Sequence, residues 1–143
     1  MPRKRSDSGT HRWFVGALIV AVAGCASVDT AVVANAGAEF SLAVGKSATV
    51  SGTDYRVKFN RVTEDSRCPV DVQCVWAGDA KIELTVSRTT VPGDIRVISL
   101  TPPNSETTVG NLRLRFVGLA PTPRQSEPPA SRAYVARLMV LAP

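Results

Sequence analysis

The hexapeptide KIELTV, residues 81–86, alternates apolar Ile82, Leu84 and Val86 with polar Lys81, Glu83 and Thr85. A period of two places successive side chains on opposite faces of an extended chain, so the segment reads as a strand with one buried and one wet face. The same rhythm runs upstream. Phe40, Leu42 and Val44 alternate as far as Gly45-Lys46, and Ala48 and Val50 as far as Ser51-Gly52-Thr53-Asp54, both turn-forming stretches. Tyr55, Val57 and Phe59 then share a face opposite Arg56, Lys58 and Asn60. Val62 breaks that parity, which predicts a bulge near Asn60-Arg61. From Glu39 onward the i, i+3, i+4 spacing of a helix is sustained nowhere.

Downstream, Val91-Pro92-Gly93-Asp94 has the composition of a turn, and Ile95 to Leu100 carries apolar residues on both parities, which predicts a strand covered on both sides. Thr107 to Val109 and Leu112 to Val117 flank Gly110-Asn111, a two-residue hairpin signal. Leu112, Leu114 and Phe116 are expected to face inward, Arg113 and Arg115 outward. Pro121 to Pro129 holds four prolines, which cannot donate to a ladder, and reads as a surface loop. Tyr134, Ala136, Leu138 and Val140 mark a final strand. About eight short strands with no covering helix predict an all-β fold, an antiparallel β-sandwich with a small β-barrel as the alternative.

The N-terminus has a different character. Arg3, Lys4, Arg5 and Arg12 precede an apolar run from Phe14 to Ala23, the pattern of a signal peptide over residues 1–24. That run is half of the ~20 residues needed to cross a bilayer. Val22-Ala23-Gly24-Cys25 resembles the lipobox of bacterial lipoproteins, which implies lipidation of Cys25 and a membrane anchor; Ala26-Ser27 after it resembles the pattern that sorts to an outer membrane. Plain secretion is the alternative, because Ala21-Val22-Ala23 and Ala34-Asn35-Ala36 also fit small-x-small cleavage. Residues 25–38 read as the anchored N-terminus and a flexible tether, and residues 39–143 as a single β domain. Removal of residues 1–24 takes four of the 17 basic and one of the 12 acidic residues, so the net charge falls from +5 to +2. The basic character thus belongs to the leader, and with few aromatics the mature chain is not expected to bind nucleic acid.

Residues 64–80, EDSRCPVDVQCVWAGDA, hold the chain's other chemistry. With Cys25 taken by lipid, Cys68 and Cys74 remain as an even pair in an oxidising compartment, so a disulfide is expected. The chain-entropy estimate for so small a ring is roughly 2.4 kcal/mol. A zinc site lacks ligands, because the only histidine, His11, lies in the leader. Calcium remains an alternative through Asp65, Asp71 and Asp79, with Glu64 beside them, although their spacing is not that of a known calcium loop. Trp76, two residues after Cys74, is expected on the same face as the cysteine, plugging the disulfide; an exposed Trp76 would mark a binding platform. Arg67 beside the ring raises the further alternative of a protease inhibitor presenting a rigid arginine, against the commoner outcome of pairing with Asp65 or Asp71.

Asp65-Ser66-Arg67-Cys68-Pro69 followed by Cys74-Val75-Trp76-Ala77-Gly78 resembles a segment of small exported bacterial envelope proteins and lipoproteins, with Tyr134 at the position of their late tyrosine. That resemblance implies a strand-rich domain and carries no activity. Without histidine after residue 24, the usual general base of a serine or cysteine nucleophile is missing, and neither a phosphate-cradling glycine loop nor a dinucleotide fingerprint is present. The expectation is therefore a non-catalytic envelope domain without a cofactor, bound to the membrane by lipid and contacting an envelope protein or glycan through Asp65, Arg67 and Trp76.

Overall fold

The computed structural model describes residues 31–101 and 105–141. Among the described residues nine strands follow one another: β1 (Val32–Ala34), β2 (Glu39–Ala43), β3 (Ser47–Val50), β4 (Tyr55–Asp65), β5 (Ala80–Arg88), β6 (Val91–Ser99), β7 (Glu106–Val109), β8 (Leu112–Ala120) and β9 (Val135–Leu141). They form a five-stranded sheet in the order β1-β3-β4-β5-β6 and a four-stranded sheet in the order β2-β9-β8-β7. Every pairing between these strands is antiparallel except β1 with β3, and an isolated parallel bridge joins Ala36 to Val140 of β9. The sheets are separate, so the fold is a sandwich and not a barrel.

The period-two pattern is the reason. In β5 the buried positions are Ala80, Ile82, Leu84 and Val86, and in β4 they are Tyr55, Val57 and Phe59. From the other sheet Leu42, Leu114, Phe116, Ala136 and Leu138 close over them, so that one apolar layer fills the space between the sheets. Each buried valine, leucine, isoleucine or phenylalanine among them contributes roughly 1.5–3 kcal/mol by leaving water. The bulge expected near Asn60 is present as a register shift between Phe59 and Arg61. The Gly110-Asn111 hairpin joins β7 to β8, and Gly110 has φ +60°, the left-handed conformation its turn requires.

Three expectations need correction. First, Val32–Ala34, expected in the tether, pairs with β3, and Ala34 is fully buried. Small side chains without evident periodicity suffice here, because a three-residue strand is held by its neighbours. The expected signal peptide, Cys25 and the first part of the expected tether lie outside the described residues. Second, Val91–Asp94 is strand, with the turn displaced to Thr89-Thr90. Pro92 is tolerated because β6 is an edge strand and bulged there, and Gly93 sits where a Cβ would come within 2.4 Å of Thr85 Cγ2. Third, the apolar residues on both parities of β6 do not mean cover on both sides: Ile98 is buried, whereas Ile95 and Val97 are exposed.

Candidate functional site

At one end of the sandwich β4 and β5 run on to Asp65 and Ala80, which pair, and between them the chain makes an irregular excursion over residues 66–79. Its neck is closed by backbone bonds from Ser66 N to Asp79 O (2.8 Å) and Cys68 N to Ala77 O (3.0 Å). Gly78 belongs to that neck. Its φ is +71°, and a Cβ there would lie 1.8 Å from the Ser66 carbonyl oxygen, so no other residue fits. Cys68 and Cys74 form the expected disulfide, with their Cα atoms 5.9 Å apart.

Beneath the excursion lies a buried charge cluster. The Arg67 guanidinium donates to both oxygens of Asp65, at 2.7 and 2.9 Å, and also to the Leu119 carbonyl and the Pro121 carbonyl (3.0 Å). Arg132 donates from Nη1 to Asp65 Oδ2 (3.2 Å) and from Nη2 to the Glu127 carbonyl (2.7 Å). Tyr134 accepts from Arg132 at 3.2 Å and donates to Asp65 Oδ2 at 2.9 Å. The Asp65 side chain is 2% exposed, Arg132 5% and Arg67 12%. Burial pushes the Asp65 carboxyl up, but hydrogen bonds from Arg67 and Tyr134 and the Arg67 charge outweigh it, and the carboxyl ends below its ordinary value. The Tyr134 phenol is raised, chiefly by burial.

This cluster fastens the disulfide loop to the proline-rich loop. Two further bonds do the same: Val70 N to the Pro123 carbonyl (3.0 Å), and Gln125 N to the Asp71 carboxylate (2.9 Å). The proline-rich stretch is thus a partner strap for residues 66–79, with Pro123 itself buried.

The residues singled out by sequence therefore separate. Asp65 and Arg67 are structural ties, and Arg67 is turned inward, away from any protease cleft, in the pairing with Asp65. The candidate calcium ligands do not converge: Asp65 is spent on two arginines and Tyr134, Asp71 on Gln125, and Asp79 on the amides of Ala80 (2.8 Å) and Thr101 (3.0 Å). Among the described residues no group of three or more histidine, cysteine or acidic side chains is placed to hold a metal ion. Trp76 is not the buried plug expected. It is 82% exposed, beside Val75 at 90%, with Val70 at 58% on the same loop. The two-residue spacing from Cys74 presupposed an extended strand, and the chain there bends instead, so the parity argument does not apply. Arg132 carries little signal in the sequence because its carboxylate partner, Asp65, lies 67 positions away and its nearby partners are backbone carbonyls of the proline-rich loop, which no residue type marks. The only local signal was its place two residues before Tyr134.

The site is thus an apolar apex of Val70, Val75 and Trp76 on a cross-linked loop, seated on a buried ionic base. Comparison with protein families, with curated proteins and with solved structures finds no match for this chain.

Proposed function

We propose that this chain is a non-catalytic envelope domain, exported and anchored by lipid at Cys25, that binds an apolar surface of another envelope protein through the apex of its disulfide loop. The observation that carries the binding reading is the exposure of Val75 and Trp76 on a loop that is otherwise tied down at every level. A large aromatic and two valines left in water cost free energy that a soluble surface ordinarily avoids, and a loop held by a disulfide, a glycine neck and an ionic base loses little entropy on binding. The apex offers Val70, Val75 and Trp76, with Asp71 and Gln73 as its exposed polar neighbours and Asp71 already held by the Gln125 amide, a balance that favours an apolar protein surface over a glycan. The lipid reading rests on the Val22-Ala23-Gly24-Cys25 motif behind its basic and apolar regions.

A photo-crosslinking amino acid placed at position 76 in cells tests the binding. One reproducible protein adduct, absent in a Val75→Asp background, is expected. Crosslinking only to lipid or glycan, or to no component, overturns the proposal. Labelling with palmitate in the presence and absence of globomycin tests the anchor separately. A labelled product whose processing the drug blocks is expected, and an unlabelled product of unchanged size sinks the lipid assignment while leaving the apex reading standing.

A further inference from the structure

The second exposed apolar feature lies away from the loop, on the outer edge of the five-stranded sheet. There β6 is paired on one side by β5, and among the described residues no strand pairs with its other side. The direction of its free amide groups follows from a single bond. Leu100 N donates to the Ala80 carbonyl at 2.8 Å, which makes those opposed residues a hydrogen-bonded pair. An antiparallel ladder alternates, so Ile98, Arg96 and Asp94 turn their amides toward Ile82, Leu84 and Val86, and Ile95 and Val97 turn theirs outward. The Ile95 and Val97 side chains are 61% and 56% exposed. The Ile95 carbonyl meets only a long 3.4 Å contact from Nη1 of its neighbour Arg96. Arg96 and Asp94 lie on the other face of the strand and pair with one another at 3.2 Å.

We infer that β6 is a self-association edge, at which two copies of the chain pair antiparallel about a two-fold axis through Ile95 and join their five-stranded sheets into one. The charges select both the occupant and the register. In this arrangement Asp94 of each copy stands opposite Arg96 of the other, as a pair that is not hydrogen-bonded and whose side chains approach closely. Ile95 meets its own copy, with Val97 diagonal to it, and Val97 lies opposite Gly93. A shift that centres the axis on Arg96 puts two arginines face to face and sets Asp94 against Ile98, which like-charge repulsion and burial oppose. An acid and a base spaced symmetrically about an outward-facing isoleucine are complementary to themselves, so a second copy fits this edge better than an unrelated extended peptide does. The pairing sends the two disulfide-loop apices to opposite ends of the dimer and leaves both open. The contact is short, and its affinity is expected in the weak range, on the order of micromolar.

Sedimentation velocity of the purified full chain over a range of concentrations tests this. Reversible dimerisation is expected, weakened on the order of tenfold by Asp94→Arg or by Arg96→Asp alone and restored in the double exchange. Ile95→Lys is expected to give monomer with an unchanged circular dichroism spectrum. Ile95→Cys is expected to form a disulfide-linked dimer on oxidation, whereas Thr49→Cys, exposed on β3 of the same sheet, is not. A chain that stays monomeric at its highest soluble concentration overturns the inference. So does a dimer indifferent to these substitutions, or a double exchange that fails to restore association.

Discussion

The centre of the sandwich and the loop at its end are stabilised by opposite means. Between the sheets, Phe59, Ile82, Leu84, Phe116 and Leu138 are almost wholly buried and make a dry apolar layer. At the loop, the buried groups are a carboxylate, two guanidinium groups and a phenol, with a disulfide above them. Apolar burial is non-directional and tolerates exchange of one hydrocarbon for another of similar volume. The ionic base is directional: each guanidinium nitrogen of Arg67 has a named acceptor, and the loss of one partner leaves charges without compensation. The difference teaches why a short irregular segment can be held in one shape. It has no regular ladder to align it, so geometry comes from hydrogen bonds of fixed direction and from a covalent ring.

The comparison can be broken first in the apolar layer. Phe59→Ala is expected to destabilise the fold by about 4 kcal/mol in denaturant titrations, the range for deleting a buried aromatic side chain. Next in size is Asp65→Ala, which strands Arg67 and Arg132 and is expected to cost on the order of 3 kcal/mol. Its pH dependence sharpens the point. The folded Asp65 carboxyl lies below its ordinary value of 3.8, so its stabilisation is complete above that pH and is lost as the pH falls through the folded value. Asp65→Ala is therefore expected to lose stability at pH 7 and to show a shallower further loss below about pH 4 than the parent chain. Part of the acid loss remains, since Asp79 is also held low: burial raises it, but bonds from Thr101 and Ala80 outweigh that.

Reduction of Cys68–Cys74 comes third. An expected loss of about 2 kcal/mol in thermal or chemical unfolding reflects the small ring, and the sandwich is expected to stay folded because β4 and β5 remain paired beneath it. If reduction unfolds the whole chain, the loop and the apolar layer are not separable in the way described. The smallest effect is expected for Trp76→Ala, within about 0.5 kcal/mol, because the indole is on the surface. A larger loss would show that Trp76 packs against the domain after all.

Alternation made the strands of the apolar layer legible in advance, along with the bulge after Phe59 and the hairpin at Gly110, because these depend on neighbours in the chain. The disulfide was legible from the cysteine count together with the export expected from the N-terminal pattern. The candidate site is legible in the sequence only as a segment: residue type and spacing mark out Asp65, Arg67 and Trp76, but not which of them faces water. Arg67 finds the carbonyls of Leu119 and Pro121 more than fifty positions away, and no local pattern encodes such acceptors. The exposure of Ile95 and Val97 in β6 is hidden from the sequence for a related reason, since a run of apolar residues is the same whether a strand is central or at an edge.

By itself, then, the sequence determined the all-β character, the apolar face of each central strand and the cysteine pairing, since all three are written in spacing of two residues or in residue counts. The tertiary structure alone decided that Val32–Ala34 joins a sheet, that Asp65, Arg67, Arg132 and Tyr134 share one buried site, and that Trp76 and Ile95 stand in solvent. Those outcomes depend on which distant backbone and side chains come to lie alongside, and that is settled by the packing of two sheets.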